Sequence, residues 1–125
     1  MMYDTDVLIW FLRGNERAAR VFERDPARAL AVQSYLELLQ GARDKAEQQL
    51  LKDFVFSFDF AILPLTENIG HRALVYIEEY ALATGMRSAD ALIAATAVEN
   101  NLELRTGNTR HFRAVKDLRL KTFKP

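Results

Sequence analysis

The chain has 125 residues, half of them hydrophobic and 27% charged, and no cysteine. That is the length and balance of one ordinary globular domain. The absence of thiols excludes zinc–thiolate centres, iron–sulfur clusters and a cysteine nucleophile. Net charge is zero but unevenly placed: residues 105–125 carry seven basic residues and one acid, a net of +6, leaving −6 on the first 104. A basic C-terminal end suits a phosphate backbone or an acidic partner, and equally a solvated surface.

Strand-like and helix-like periodicities alternate along the chain. Residues 2–4 allow only a very short strand. Val7, Leu8, Phe11 and Leu12 then recur at helical spacing, and Gly14 stops that helix. A second helix is expected over Glu16–Arg24, ended by Asp25-Pro26. Residues 29–33 form a compact apolar run of strand length. Residues 34–41 read as a helix with Ser34 as its N-cap, and 44–58 as a longer amphipathic helix. A further apolar run over 60–65 stops near Pro64. Residues 66–83 read as a helix with Ile69, Ala73, Ile77, Tyr80 and Ala81 on one side. Residues 89–99 are nearly apolar throughout and predict a buried helix. Residues 102–105 and 120–123 are the last short strands.

Strands separated by helices predict a single domain over 1–125. Its fold class is α/β: a three-layer α/β/α sandwich around a mostly parallel sheet of about five strands. No apolar run approaches the ~20 residues of a membrane span. The start Met1-Met2-Tyr3-Asp4 lacks a basic leader pattern, so the expected location is cytoplasmic.

In parallel sheets ligands bind outside the carboxyl ends of the strands. Asp4 follows the first strand, Glu37 falls in the first turn after the second, and Asp90 lies in the first turn of the apolar helix. Asn108 follows the fourth strand, in Thr106-Gly107-Asn108-Thr109. Converged carboxylates repel unless a cation sits among them. Oxygen ligands without His or Cys suit Mg²⁺ or Mn²⁺, whose chemistry includes phosphodiester hydrolysis. Each acid also has a plain structural reading. Asp4 fits an N-cap, Ser34-Tyr35-Leu36-Glu37 fits a capping box, and Asp90 complements a helix dipole. Asp6 reads as a surface or supporting acid.

Four segments resemble the motifs of PIN domains, in order, over nearly the whole chain: Asp4-Thr5-Asp6-Val7-Leu8-Ile9, Ser34-Tyr35-Leu36-Glu37-Leu38-Leu39-Gln40-Gly41-Ala42, Ser88-Ala89-Asp90-Ala91-Leu92-Ile93-Ala94-Ala95 and Thr106-Gly107-Asn108-Thr109-Arg110-His111-Phe112. The chain's size is similar to that of the toxin ribonucleases of VapC-type toxin–antitoxin pairs. The resemblance implies a Mg²⁺- or Mn²⁺-dependent endoribonuclease acting on RNA. It also implies a homodimer, and inhibition by a small VapB-like antitoxin lying across the site. On it, Asp4, Glu37 and Asp90 are the metal ligands, Asn108 completes the catalytic set, and Thr5 and Thr106 position it. Arg110 and Arg113 are candidates for nucleic-acid or antitoxin contact, and His111 for packing or hydrogen bonding at the groove edge. Many members carry a fourth acid where this chain has Asn108, which brings a carbonyl oxygen but no charge. A single ion held directly by the carboxylates is therefore expected.

Two other readings stay open. Asn108 leaves room for a PIN-like module that binds RNA or a partner without cutting. Asp4-Thr5-Asp6-Val7 also fits the opening of haloacid-dehalogenase-type phosphatases, although the following glycine and the second acidic pair are missing.

Overall fold

The computed structural model describes residues 1–125. Five strands form one sheet in the order β3-β2-β1-β4-β5, every pair parallel. They are β1 (Met2–Tyr3), β2 (Ala29–Ala31), β3 (Ala61–Leu63), β4 (Leu104–Thr106) and β5 (Leu120–Thr122). The connections are α1 (Thr5–Leu12) and α2 (Glu16–Arg24), then α3 (Val32–Gln40) and α4 (Lys45–Ser57), then α5 (Glu67–Thr84) and α6 (Ser88–Glu99). A 3₁₀ turn over Thr109–His111 leads to β5. No helix is long and apolar enough to cross a membrane.

Two cores lie on the two faces of the sheet, as the alternation of side chains along each strand requires. Met2, Ala29, Ala31 and Leu104 face α5 and α6. Tyr3, Leu30 and Phe123 face α1, α2 and α4. The first core is built on small residues. Ala91, Ala94, Ala95 and Ala97 are buried around α6, so α5 and the sheet can approach it closely. The second is aromatic: Phe22 meets Tyr3 edge-on at 4.9 Å and Phe60 at 5.4 Å, and Phe11 stacks on Phe54 at 4.8 Å. Aromatic pairs of this kind add ~0.5–1.5 kcal/mol beyond area burial.

The strand expected over 60–65 is shorter, Ala61–Leu63, and the boundaries of β2, α3 and β4 also depart from the sequence expectation. The apolar run at 29–33 is a strand only to Ala31, because Ala31 serves as the N-cap of α3. Ser34 is therefore inside the helix rather than at its cap. It is fully buried, its hydroxyl has no hydrogen-bond partner, and the Ser34–Glu37 capping box does not form. Glu37 falls in the second turn of α3, not the first. The fourth strand begins at Leu104, not at residue 102. Leu102 N–H instead donates to Ala97 O at 2.9 Å, across Asn101 at φ +53°, and closes the end of α6.

Strand order reverses between β1 and β4: the earlier strands extend to one side of β1 and the later ones to the other. The crossovers also change face at that point. A crevice at the carboxyl ends of β1 and β4 follows from this topology.

Candidate functional site

Asp4 sits in that crevice. Its backbone N–H donates to Arg105 O at 3.0 Å, continuing the β1–β4 ladder by one residue. Its carboxylate caps α1, accepting from Thr5 N–H at 2.8 Å, and its other oxygen accepts from the Thr106 hydroxyl at 2.8 Å. Thr106, at the end of β4, is fully buried, and its hydroxyl also accepts from Asn108 N–H at 2.9 Å. One threonine thus fixes both the acid and the loop that follows β4.

Asp6 supports the same corner. It accepts from Gly107 N–H at 2.8 Å, joining α1 to the β4 loop. A side chain at position 107 would place its Cβ 2.8 Å from the Asp6 carboxylate and 3.2 Å from Phe123 O, so only glycine fits without a shift. This clamp was not read from the sequence, where Asp6 stood only as a supporting acid. The signal was the close approach that Gly107 permits, which needs the sheet order to be seen.

Burial desolvates Asp4 and raises its carboxyl from 3.8 to about 6. The charges of Asp6 and Asp90 push the same way, and the bonds from Thr106 and Thr5 only partly offset them. An N-cap acid on a helix surface is normally stabilised in its charged form, so capping alone does not explain this environment. Asp6 is raised as well, chiefly by burial. Glu37 is raised by desolvation and by Asp90, with Gln33 opposing.

Asp90 lies in the first turn of α6. It accepts from Arg87 N–H at 3.3 Å, and the same oxygen lies 3.1 Å from His111 Nδ1. His111, on the turn after β4, is therefore the residue of that segment in contact with Asp90. Asn108 is exposed, and its backbone N–H rather than its side chain joins the network. Glu37 is exposed on α3. With the capping box absent, its local partner is Gln33, one turn earlier on α3. Arg110 and Arg113 are exposed and form no ion pair.

The carboxylates thus interact electrostatically: Asp4 with Asp6 and Asp90, and Glu37 with Asp90. No three acidic or histidine side chains stand close enough to hold one ion together. The donor chemistry nevertheless fits a hard divalent cation. The set is mutually repelling carboxylates, and beside Asp4 lie the Thr5 hydroxyl and one Asp6 oxygen, both buried and without a hydrogen-bond partner.

Comparison with known proteins gives the family and the fold. The family model "PIN domain" matches residues 1–118. Ribonuclease VapC10 of Mycobacterium tuberculosis is 33% identical over 124 residues, covering 95% of this chain and 90% of the relative. A toxin–antitoxin complex from Klebsiella pneumoniae superposes with TM-score 0.78 at 27% identity, covering 99% of this chain and 96% of that one. VapBC2 from Rickettsia felis, bound to a promoter DNA fragment, has TM-score 0.80 at 19% identity over 98% of both chains, a likeness of fold. The chain belongs to the PIN domain family.

Proposed function

We propose that this chain is a metal-dependent endoribonuclease, the toxin of a toxin–antitoxin pair. The observation that carries the reading is the acid at the switch point. Asp4 is buried, locked by Thr106 and Thr5, and set among like charges at the carboxyl ends of β1 and β4. A cap and the Thr106 bond would serve a structural acid as well, but neither needs a buried place among like charges. The relative named a ribonuclease and the neighbours named toxin–antitoxin complexes support the substrate class and the partner.

Asp4, Glu37 and Asp90 are the residues that would hold Mg²⁺ or Mn²⁺, which when bound supplies positive charge for the scissile phosphate and acidifies a water. The chain's own groups do the rest. Thr106 and Thr5 hold the Asp4 carboxylate at a fixed angle. The Asp6–Gly107 clamp fixes the loop that carries Asn108, whose exposed amide would orient water or substrate. His111 orients Asp90. Arg110 and Arg113 attract a phosphate or an acid of the antitoxin. A hollow of about 770 Å³ beside Thr5 and Glu37, walled by Ile9, Leu12 and Leu50, suits the apolar residues of an antitoxin segment. Exposed Leu74 and Leu82 on α5 offer apolar surface for a homodimer.

The phosphatase alternative would use Asp6 as a mobile general acid, whereas Asp6 is tied to Gly107. The test is cleavage of a pool of structured RNAs with Mg²⁺, Mn²⁺ or EDTA, beside Asp90→Asn. Cleavage that needs metal and is lost in the variant is expected. Metal-independent RNA affinity that survives Asp90→Asn, with no cutting under any metal, would establish a binding module instead.

A further inference from the structure

A second concentration of positive charge lies away from the carboxylates. Arg17, Arg20 and Arg24 recur at three- and four-residue spacing, so they share one face of α2. With Arg105 of β4 and Lys124 they line a hollow of about 410 Å³. An adjoining hollow of about 570 Å³ shares Val21, Arg24 and Arg105 with it and adds Lys121 and Arg119. Register explains the assembly. Arg105 pairs with Tyr3 on one side and Lys121 on the other, so all three face the α2 side of the sheet. There β4 and the edge strand β5 lie beyond the cover of α2.

Little of this charge is neutralised. Arg20 reaches Glu16 only at 3.9 Å, with both side chains exposed, so water screens the pair. Asp25 is already committed to the Tyr3 hydroxyl at 2.7 Å and the N-terminal amine at 3.5 Å. Arg119 bonds the neutral Asn101 carbonyl at 2.9 Å. Arg105 carries a buried Nε without a hydrogen-bond partner. Glu103 is the one other acid in the lining.

We propose that this α2–β4–β5 groove binds the phosphate backbone of RNA. The lining favours that occupant over a protein. Of the eight residues around the smaller hollow, only Val21 and Phe123 are apolar, whereas peptide docking is anchored by apolar and aromatic pockets. Guanidinium forks match phosphate oxygens, and a row of cations matches a repeating anion. The groove also runs toward the chemistry. At its far end Phe123 N–H donates to Thr106 O at 2.8 Å, and Phe123 O lies against Gly107. A strand held there is led to the loop beside Asp4. The proposal rests on the ribonuclease reading for the identity of the polymer, and gives that reading a docking surface outside the site.

The experiment uses the full chain carrying Asp4→Asn, so that binding is read without cutting. Affinity for a labelled single-stranded RNA is measured across a KCl series, with polyglutamate as competitor. In this background Arg17→Gln with Arg24→Gln is expected to weaken binding about tenfold. It should also reduce the slope of log affinity against log salt by ~1.4, the value for two lost contacts on a single strand. Lys121→Gln with Lys124→Gln, on the opposite wall, should do the same and serves if the α2 pair disturbs folding. Lys45→Gln with Lys52→Gln on α4 removes equal charge and should leave the slope unchanged. An unchanged slope in both groove pairs, or an equal change in the α4 pair, overturns the proposal. So does loss of polyglutamate binding with RNA affinity intact, which would assign the groove to an acidic protein. Cleavage of the pool of structured RNAs by the native chain separates the two readings. Its absence under every metal, with the salt effect present, sinks only the nuclease. Its presence without the salt effect sinks only the groove.

Discussion

The two halves of the candidate site are built differently. The β1–β4 half is rigid: Asp4, Asp6, Thr106 and Gly107 are joined by hydrogen bonds of 2.8 Å between α1 and the β4 loop. The outer half is loose: Glu37 and Asn108 are exposed, and neither side chain is fixed by a hydrogen bond to the first half. The difference teaches where the cost of function sits. The rigid half holds carboxylates together at the expense of their charge, whereas the outer half contributes groups whose positions a ligand can settle. Substitutions should therefore separate the halves: the inner ones alter stability and activity together, the outer ones activity alone.

The largest expected effect is on chemistry. Asp4→Asn should lower RNA cleavage by ~10²–10³-fold or more, the scale for removing one group that stabilises developing charge, in single-turnover assays with Mn²⁺. Thr106→Val comes next. It removes the donor to Asp4 and the acceptor for Asn108 N–H, both in a buried setting. The expected loss is about 2–3 kcal/mol by denaturant unfolding. Gly107→Ala forces its Cβ against Asp6 and Phe123 O. It should cost about 1–2 kcal/mol and lower cleavage without touching any proposed metal ligand. At the small end, Glu37→Gln should change stability by less than ~0.5 kcal/mol, as at other exposed positions, while cleavage falls at least tenfold. If Glu37→Gln instead unfolds the chain, or Thr106→Val leaves stability intact, the division into a rigid and a loose half is wrong.

Much of this was readable beforehand because it is local. The strand–helix alternation placed Asp4 and Asp90 after a strand and at a helix start, where the structure has them. The second helix was read over Glu16–Arg24 and ended by Asp25-Pro26, as found, and the helix expected over 44–58 spans Lys45–Ser57. What failed was the choice between competing local signals. Ser34 is a good N-cap residue, yet Ala31 takes that place because β2 ends there. Leu102 is apolar enough for a strand, but its N–H is taken by the end of α6. Contacts that depend on strand order could not be read at all. His111 rather than Asn108 meets Asp90 across 21 residues, and Asp6 meets Gly107 across 101. The polarity of the fourth strand, out of place in a central parallel strand, has its reason in the same order. Leu104 and Thr106 face the core, while Arg105 faces the basic groove. The basic C-terminal end was visible as composition, but its convergence with the arginines of α2 was not.

The most direct test is a melting comparison of the native chain and Asp4→Asn, without metal and with Mn²⁺, from pH 4 to 8. Asp4 is raised in the fold, from 3.8 to about 6. Its favourable contribution is therefore complete below pH 3.8 and lost as pH rises through about 6. At pH 7.5 the charged native site is expected to melt below Asp4→Asn, by as much as ~3 kcal/mol of stability, and the gap should close toward pH 4. Mn²⁺ should raise the native melting temperature and leave Asp4→Asn nearly unmoved. A native chain that is the more stable at pH 7.5 without metal, or equal stabilisation of both proteins by Mn²⁺, would contradict the account.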